Sequence, residues 1–192
     1  MLSSRIITQA DEQVLFSCIS YRLSFGTAAE LDYLHHSSIR VFYHPDASDT
    51  FLAGYTINSQ GPFRYLSVLE SMGLAETTLA KTDISPTNVA EIGCLWMEKS
   101  GLNASDCIQI YTMALADLLQ TGKNWLMAGS LIHKYQVMLE WFFTTTLFSG
   151  PVQVRTQTDE AKIYAIERSE VLGRFLKSMV RLLIRSRKRR KR

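Results

Sequence analysis

The sequence is poor in cysteine. Cys18, Cys94 and Cys107 are an odd count in 192 residues and include no close pair, which argues against a disulfide framework and a thiolate zinc site. Cys18 and Cys107 fall on apolar helical patterns and read as small buried thiols. Cys94 has no histidine near it in sequence and reads as core too. His35, His36, His44 and His133 lack metal-ligand spacing, so no metal is expected. No apolar run approaches the roughly 20 residues of a spanning helix. The opening "MLSSRIITQADEQ" lacks the apolar stretch of a secretory signal, and a cytoplasmic protein is the expectation.

Acid is missing from one region. Residues 174–192 contain none, yet hold ten of the 21 lysines and arginines. The remaining chain therefore carries 11 basic against 18 acidic groups, a balance of −7. An acidic body ends in a cationic segment, and the two need separate explanations. The body, in a chain that is 46% hydrophobic, suits one globular domain without internal repeats.

Along that body, "SSRIITQ" predicts a short strand, and "ADEQVLFSCISYRLSF" a helix with Val14, Leu15, Cys18, Ile19 and Leu23 on its buried face. Residues 26–37 read as irregular. "IRVFYH", a turn around Pro45, Asp46 and Asp49, and "TFLAGYTINS" form an antiparallel hairpin. "FRYLSVLE" fits either a strand or a helix, and "KTDISPTN" is a loop. "VAEIGCLWM" is a strand, "EKSGLN" a turn, and 104–121 a strong helix. Ile108, Tyr111, Leu115, Leu118 and Leu119 share one side of it, Asn103 or Ser105 caps its start, and Gly122 closes it. "NWLMAGSL" is a buried strand, "HKYQVMLEWFF" a helix, and "PVQVRTQ" and "KIYAIE" the last strands. This order describes an α/β sheet with mixed strand directions.

Several stretches carry a family resemblance over roughly residues 14–167. "YRLSF", "AELD", "LAGYTINSQGPF", "AEIGCLWM" and "GKNWLMAGSLIHKYQVMLEWF" resemble the N-acetyltransferase-like (GNAT) fold. The similarity is to the branch of acyl-homoserine-lactone synthases, long-chain N-acyl amino acid synthases and the thermostable haemolysin family. "EIGCL" resembles that branch's strand in its E-V-G-N-L form. The resemblance implies an α/β (α+β) GNAT-like fold with a mixed, mostly antiparallel sheet and helices on both faces over residues 1–168. A basic amphipathic helix would occupy 169–192. Autoinducer synthases carry arginines near the positions of Ile57 and Cys94. Neither residue can hold a carboxylate as arginine does, which argues against homoserine lactone synthesis. The usual phosphate loop, [QR]-x-x-G-x-[GA], is represented by "EKSGLN", where Gly101 matches and Glu98 and Asn103 depart.

The activity so implied is N-acyl transfer from an acyl-carrier-protein or acyl-CoA thioester to a small amine such as an amino acid, with no permanently bound cofactor. Such a reaction needs a deprotonated amine, an oriented thioester and a stabilised oxyanion. By position Glu91 matches the acid of the strand that receives the amine, and an apolar setting would raise its pKa into the range of a general base. Its structural alternative is a strand-end carboxylate that reaches solvent or pairs with a lysine. His133 and Tyr135 are further catalytic candidates, to protonate the leaving thiolate. In the resemblance the donor's pantetheine arm lies along the strand of Leu95 and Met97, with Ser130 orienting it. Gly101, Asn103, Ala104 and Ser105 would meet its phosphate at a helix N-terminus, with Lys99 adding charge.

In the segment after 168, Leu172, Phe175, Leu176, Met179, Val180 and Leu183 recur at helical spacing, opposite Arg174, Lys177, Arg181 and Arg185. Three partners are open for Arg174–Arg192: an anionic membrane surface, which uses both stripe and charge, an acidic acyl carrier protein, and nucleic acid. Nucleic acid is disfavoured because no aromatic stacking residues accompany the charges. The structural alternative is a last helix packed on the domain. Against the enzyme stands a catalytically inactive GNAT-like binding module attached to membrane by this helix.

Overall fold

In a computed structural model the described residues are 1–23, 29–154 and 157–189; residues 99, 154, 157, 179 and 181–189 are described by backbone alone. In chain order the elements are β1 (Ser3–Ile7), α1 (Ala10–Leu23), α2 (Leu31–His35), β2 (Ser38–Tyr43), β3 (Ala53–Asn58), α3 (Arg64–Ser71) and α4 (Ala75–Thr82). They continue with β4 (Val89–Met97), α5 (Ala104–Gln120), β5 (Trp125–Ser130), α6 (His133–Phe142), β6 (Thr145–Val154), β7 (Gln157–Glu167) and α7 (Arg168–Arg189). They form two compact units: residues 1–67 with 90–122, and residues 68–89 with 123–192.

The first unit is built on β1, β2, β3 and β4, each antiparallel to the next. All six residues of β3 are buried, which suits its run of small, β-branched and aromatic side chains. Its core gathers Ile7, Phe16, Ala29, Tyr33, Leu34, Ile39, Val41, Phe51 and Trp96. The expected buried face of α1 holds only in part: Ile19 and Leu23 pack against the core, but the rest of that face does not. Gln13, Phe16 and Ser20 point inward, while Val14, Leu15 and Cys18 are exposed. One aromatic outweighs the aliphatic stripe: Phe16 lies 5.9 Å from the Trp96 ring and over Gly54, where a Cβ would sit 2.7 Å from it. Cys107 is half-buried. Residues 31–35, expected to be irregular, form α2, whose Tyr33 and Leu34 enter the core.

A partly buried polar cluster ties this sheet to α5. Arg40 Nε and Nη2 donate to the two oxygens of Asp117 at 2.6 and 3.0 Å, and the Tyr55 hydroxyl donates to the same carboxylate at 2.8 Å. The inward face of α5 is Asp106, Ile110, Ala114, Leu115 and Leu118. Ile108, expected inside, is exposed, because the helix is turned toward the Ile110–Ala114 side.

The N-terminus of α5 is a full capping box. Asn103 Oδ1 accepts from the N–H groups of Ser105 and Asp106, and Asp106 accepts from the N–H of Asn103. Asn103→Ala is expected to lower the unfolding free energy by about 1 kcal/mol, read as a shift of the denaturant midpoint with unchanged slope.

In the second unit β5, β7 and β6 lie side by side, antiparallel throughout. β6 pairs with β7 and accommodates Pro151 without disrupting the ladder, opposite Glu160. Leu126, Met127, Ala128, Ile163, Tyr164 and Ile166 are fully or nearly buried, and the Phe143 and Tyr164 rings stack. The segment 64–71, which fitted either strand or helix, is helical as α3. Part of the expected loop 81–88 is structured too: α4 runs to Thr82 and Pro86–Asn88 form a single 3-10 turn.

Candidate active site

Glu91 sits in β4 opposite Asn58, the last residue of β3. Asn58 organises the chain that follows. Its Oδ1 accepts from the N–H groups of Gln60 and Gly61, and its Nδ2 donates to the Pro62 carbonyl at 2.7 Å. This clip starts α3 directly against Glu91. The first N–H groups of that helix, which have no intrahelical acceptor, reach its carboxylate: Arg64 N to Oε1 at 3.1 Å and Tyr65 N to Oε2 at 2.8 Å. A carboxylate at a helix N-terminus is favourable, and here it comes from a neighbouring strand.

The side chain is 0% exposed, which overturns the alternative of a strand-end glutamate reaching solvent or a lysine. Burial pushes its pKa up to about 7, against the two backbone N–H groups, the Tyr33 hydroxyl and the Arg64 charge, all of which favour the ionised form. The Tyr33 hydroxyl is 3.1 Å from that of Thr56, and burial with the nearby Glu91 charge holds its own pKa well above the usual phenol range. Gly93 makes room for this pair: a Cβ there would lie 2.7 Å from the Tyr33 oxygen and 3.0 Å from that of Thr56.

Next in β4 is a bulge. Gly93 pairs with Thr56 and Trp96 with Gly54, so Cys94 and Leu95 oppose the single residue Tyr55. Cys94 takes the left-handed conformation, φ 49°, and Leu95 is turned outward, 37% exposed. Such bulges end regular pairing and re-aim a strand, and they are common beside active sites. The Arg64 Nη1 lies 3.5 Å from Cys94 Sγ, and the guanidinium also feels Tyr65, Tyr33 and Glu91. Burial raises the Cys94 thiol pKa despite that cation, so the group is held as a thiol.

The sequence singles out Glu91 but not Tyr33, Thr56 or Arg64, which the fold gathers near it. Tyr33 lies in a segment without a periodic pattern, and Arg64 in one whose pattern fits strand and helix equally. The only available signal was that "GPFR" ends the loop after a buried strand.

The remaining expected residues are dispersed. Met97 pairs with Ala53 at the end of β4. Gly101 lies against Leu52: a Cβ there would come 2.9 Å from a terminal methyl of that side chain, which would have to turn aside. The side chain of Lys99 lies outside the described residues. At the start of α5, Asn103 is the cap itself, Ala104 is the first helical residue, and the Ser105 N–H is already engaged by Asn103. The Asp106 carboxylate occupies the same end. A donor phosphate there would compete with a resident acid. Ser130, His133 and Tyr135 belong to the second unit. The Ser130 hydroxyl accepts from the Ile132 N–H at 3.0 Å in the turn before α6, and His133 and Tyr135 are exposed on its first turn. Among the described residues no cluster of potential metal ligands occurs.

No family model matches the chain, and no curated protein matches it. Solved structures do. FeeM, an N-acyl amino acid synthase from uncultured soil microbes, is 14% identical and superposes with a TM-score of 0.66 over 91% of this chain and 95% of its own. The acyl-homoserine-lactone synthase LasI is 11% identical, with a TM-score of 0.56 over 87% and 90%. The yncA protein of Salmonella typhimurium, solved with its cofactor acetyl-CoA, is 9% identical, with a TM-score of 0.54 over 86% and 93%. At such identities the likeness establishes the fold, and the fold is GNAT-like.

Proposed function

We propose that a chain with this fold, and with Glu91 at this place in it, is an N-acyltransferase that moves a long-chain acyl group from a thioester to an amino acid. The observation that carries the reading is the sealed Glu91 carboxylate, held near pKa 7 beside a strand bulge. A base with that pKa is half ionised at neutral pH and can take a proton without being quenched by water. In the reaction the acceptor ammonium gives up a proton toward Glu91, its nitrogen attacks the thioester carbonyl, and the C–S bond breaks to release the thiol. Because the carboxylate has no solvent access, the proton reaches it through the Tyr33 hydroxyl that hydrogen-bonds it, while the fully buried Thr56 holds that hydroxyl in place. The backbone freed at Cys94 and Leu95 is positioned to hold the donor arm or its developing oxyanion.

Two finer points follow from the same residues. The autoinducer-type arginines are lacking at Ile57 and Cys94, but Arg64 brings a guanidinium to Cys94 from another element. It is suited to a carboxylate lying next to the amine that Glu91 deprotonates, as in an α-amino acid. The Asp106 carboxylate at the start of α5 disfavours a donor with several phosphates there, so a carrier-protein arm with a single phosphate suits the site better than coenzyme A. Ser130, His133 and Tyr135 keep their roles in donor orientation and thiolate protonation through the resemblance alone.

The test is incubation of the purified protein with acyl-carrier-protein and acyl-CoA thioesters of graded length, each with amino acids and with amines lacking a carboxylate. Thiol release and N-acyl products are followed by mass spectrometry. Product from amino acids supports the reading; a folded protein that forms no N-acyl product with any pair defeats it. Arg64→Lys is expected to raise KM for the amino acid by about tenfold or more, since lysine lacks the bidentate fork, while amines without a carboxylate are little affected.

A further inference from the structure

We infer that α7 is an interfacial helix by which the protein sits on an anionic lipid surface, a property independent of the acyl-transfer reading. The helix has two dissimilar sides. One is fixed to its own unit: Val171 is fully buried, and Ser178, nearly buried, donates to the Trp141 carbonyl of α6 at 3.4 Å. The other carries Leu172, Leu176 and Val180, which are 58%, 58% and 54% exposed. Successive members are four residues apart, so they form one apolar ridge along roughly 12 Å of helix. Leucine and valine left this open along one line, rather than scattered, mark a contact surface.

The charge beside the ridge selects its occupant. From Arg174 to Arg192 the sequence has ten basic residues and no acid, and Lys177 is exposed next to the ridge. The expected polar positions Arg181 and Arg185, and the apolar Met179 and Leu183, lie outside the residues with described side chains. A second copy of the chain would cover the leucines but bring two cationic segments together. Nucleic acid would accept the cations and leave the ridge in water. An anionic bilayer takes both, with the ridge in the acyl–headgroup boundary and the cations among the phosphates. No helix among the described residues is long and apolar enough to cross a membrane, so the contact is with the surface. Fixing α7 to its unit also fixes which side of that unit meets the lipid.

The experiment is flotation of the full-length protein with vesicles of phosphatidylcholine alone or with about one-third phosphatidylglycerol. Each cation near such a surface strengthens partitioning by about fivefold, so binding should be confined to the anionic vesicles and weaken at high salt. The triple variant L172Q/L176Q/V180Q alters only exposed positions, so its melting curve should match the parent while its partitioning falls by about tenfold or more. The variant K188Q/R190Q/K191Q/R192Q, which removes four of the ten cations, should weaken the salt dependence of binding by about two-fifths. The inference is overturned by equal flotation of parent and triple variant, by the absence of anionic-vesicle binding, or by salt-sensitive duplex binding without vesicle binding. Concentration-dependent dimerisation abolished by the triple variant, without vesicle binding, would overturn it in favour of a second copy.

Discussion

Glu91→Gln is expected to cut acyl transfer by about a hundredfold to ten-thousandfold, the usual contribution of a positioned general base. Glutamine keeps the shape of the side chain and one acceptor for the N–H groups of Arg64 and Tyr65, but it cannot take a proton. Because it also weakens the seat of α3, the parent protein's pH dependence supplies the second measurement. The base must be ionised to act, so kcat/KM should rise through pH of about 7 and level off above it. Stability should run the other way. Folding raises this pKa from the ordinary 4.5 to about 7, so the native state holds a proton that the unfolded chain has released between those values. The stability it contributes is full below pH 4.5, declines as pH rises toward 7, and is flat above. That decline is about 3 kcal/mol, and it should vanish from the pH profile of Glu91→Gln. Activity rising while stability falls across one pH window is the signature of a base that was buried at a cost. Tyr33→Phe, which removes the hydroxyl between Glu91 and Thr56, should slow the reaction with a smaller effect on melting. Full activity in Glu91→Gln would assign the carboxylate to capping α3 and nothing more.

The second large effect concerns the frame. Asp117→Ala should lower stability by about 2–3 kcal/mol, roughly 5–10 °C in melting temperature for a chain of this size. The substitution strands two groups at once: the Arg40 guanidinium, 16% exposed, and the Tyr55 hydroxyl, whose ring is fully buried. Arg40 keeps only slight exposure and a 3.4 Å contact from Nη1 to Ser4 Oγ, so its charge is left poorly compensated, and the Tyr55 hydroxyl loses its acceptor. Asp117→Asn, which keeps the shape and one acceptor, should fall between parent and alanine. A loss under about 1 kcal/mol for the alanine variant, by denaturant unfolding, would mean the cluster is solvated and that α5 is held by its apolar face alone.

Val14, Leu15 and Cys18 look like a buried stripe by spacing, yet α1 turns on Phe16, because Gly54 opens a slot for that ring beside Trp96. Periodicity counts apolar residues equally, whereas burial is decided by which one finds a matching cavity. The same limit explains Tyr33. Five residues of α2 are too short for a periodic signal, but the sheet and α1 around them fix both the helix and its hydroxyl.

What the sequence determined by itself is local and periodic. Strands β2, β3, β4 and β5 and helices α5 and α6 announce themselves through alternation, apolar faces and end signals, with the cap of α5 narrowed to Asn103 or Ser105. The separation of an acidic body from a cationic end is likewise a property of composition. Tertiary structure alone decided the state of Glu91. In the sequence it is one acid among apolar neighbours, free to reach solvent or to be buried. Its pairing register with Asn58 brings the start of α3 over it, and that start both satisfies the carboxylate and shuts out water. A pKa depends on the field and solvation supplied by every group nearby, and here those include residues 33, 64 and 65, too far along the chain for spacing to reveal.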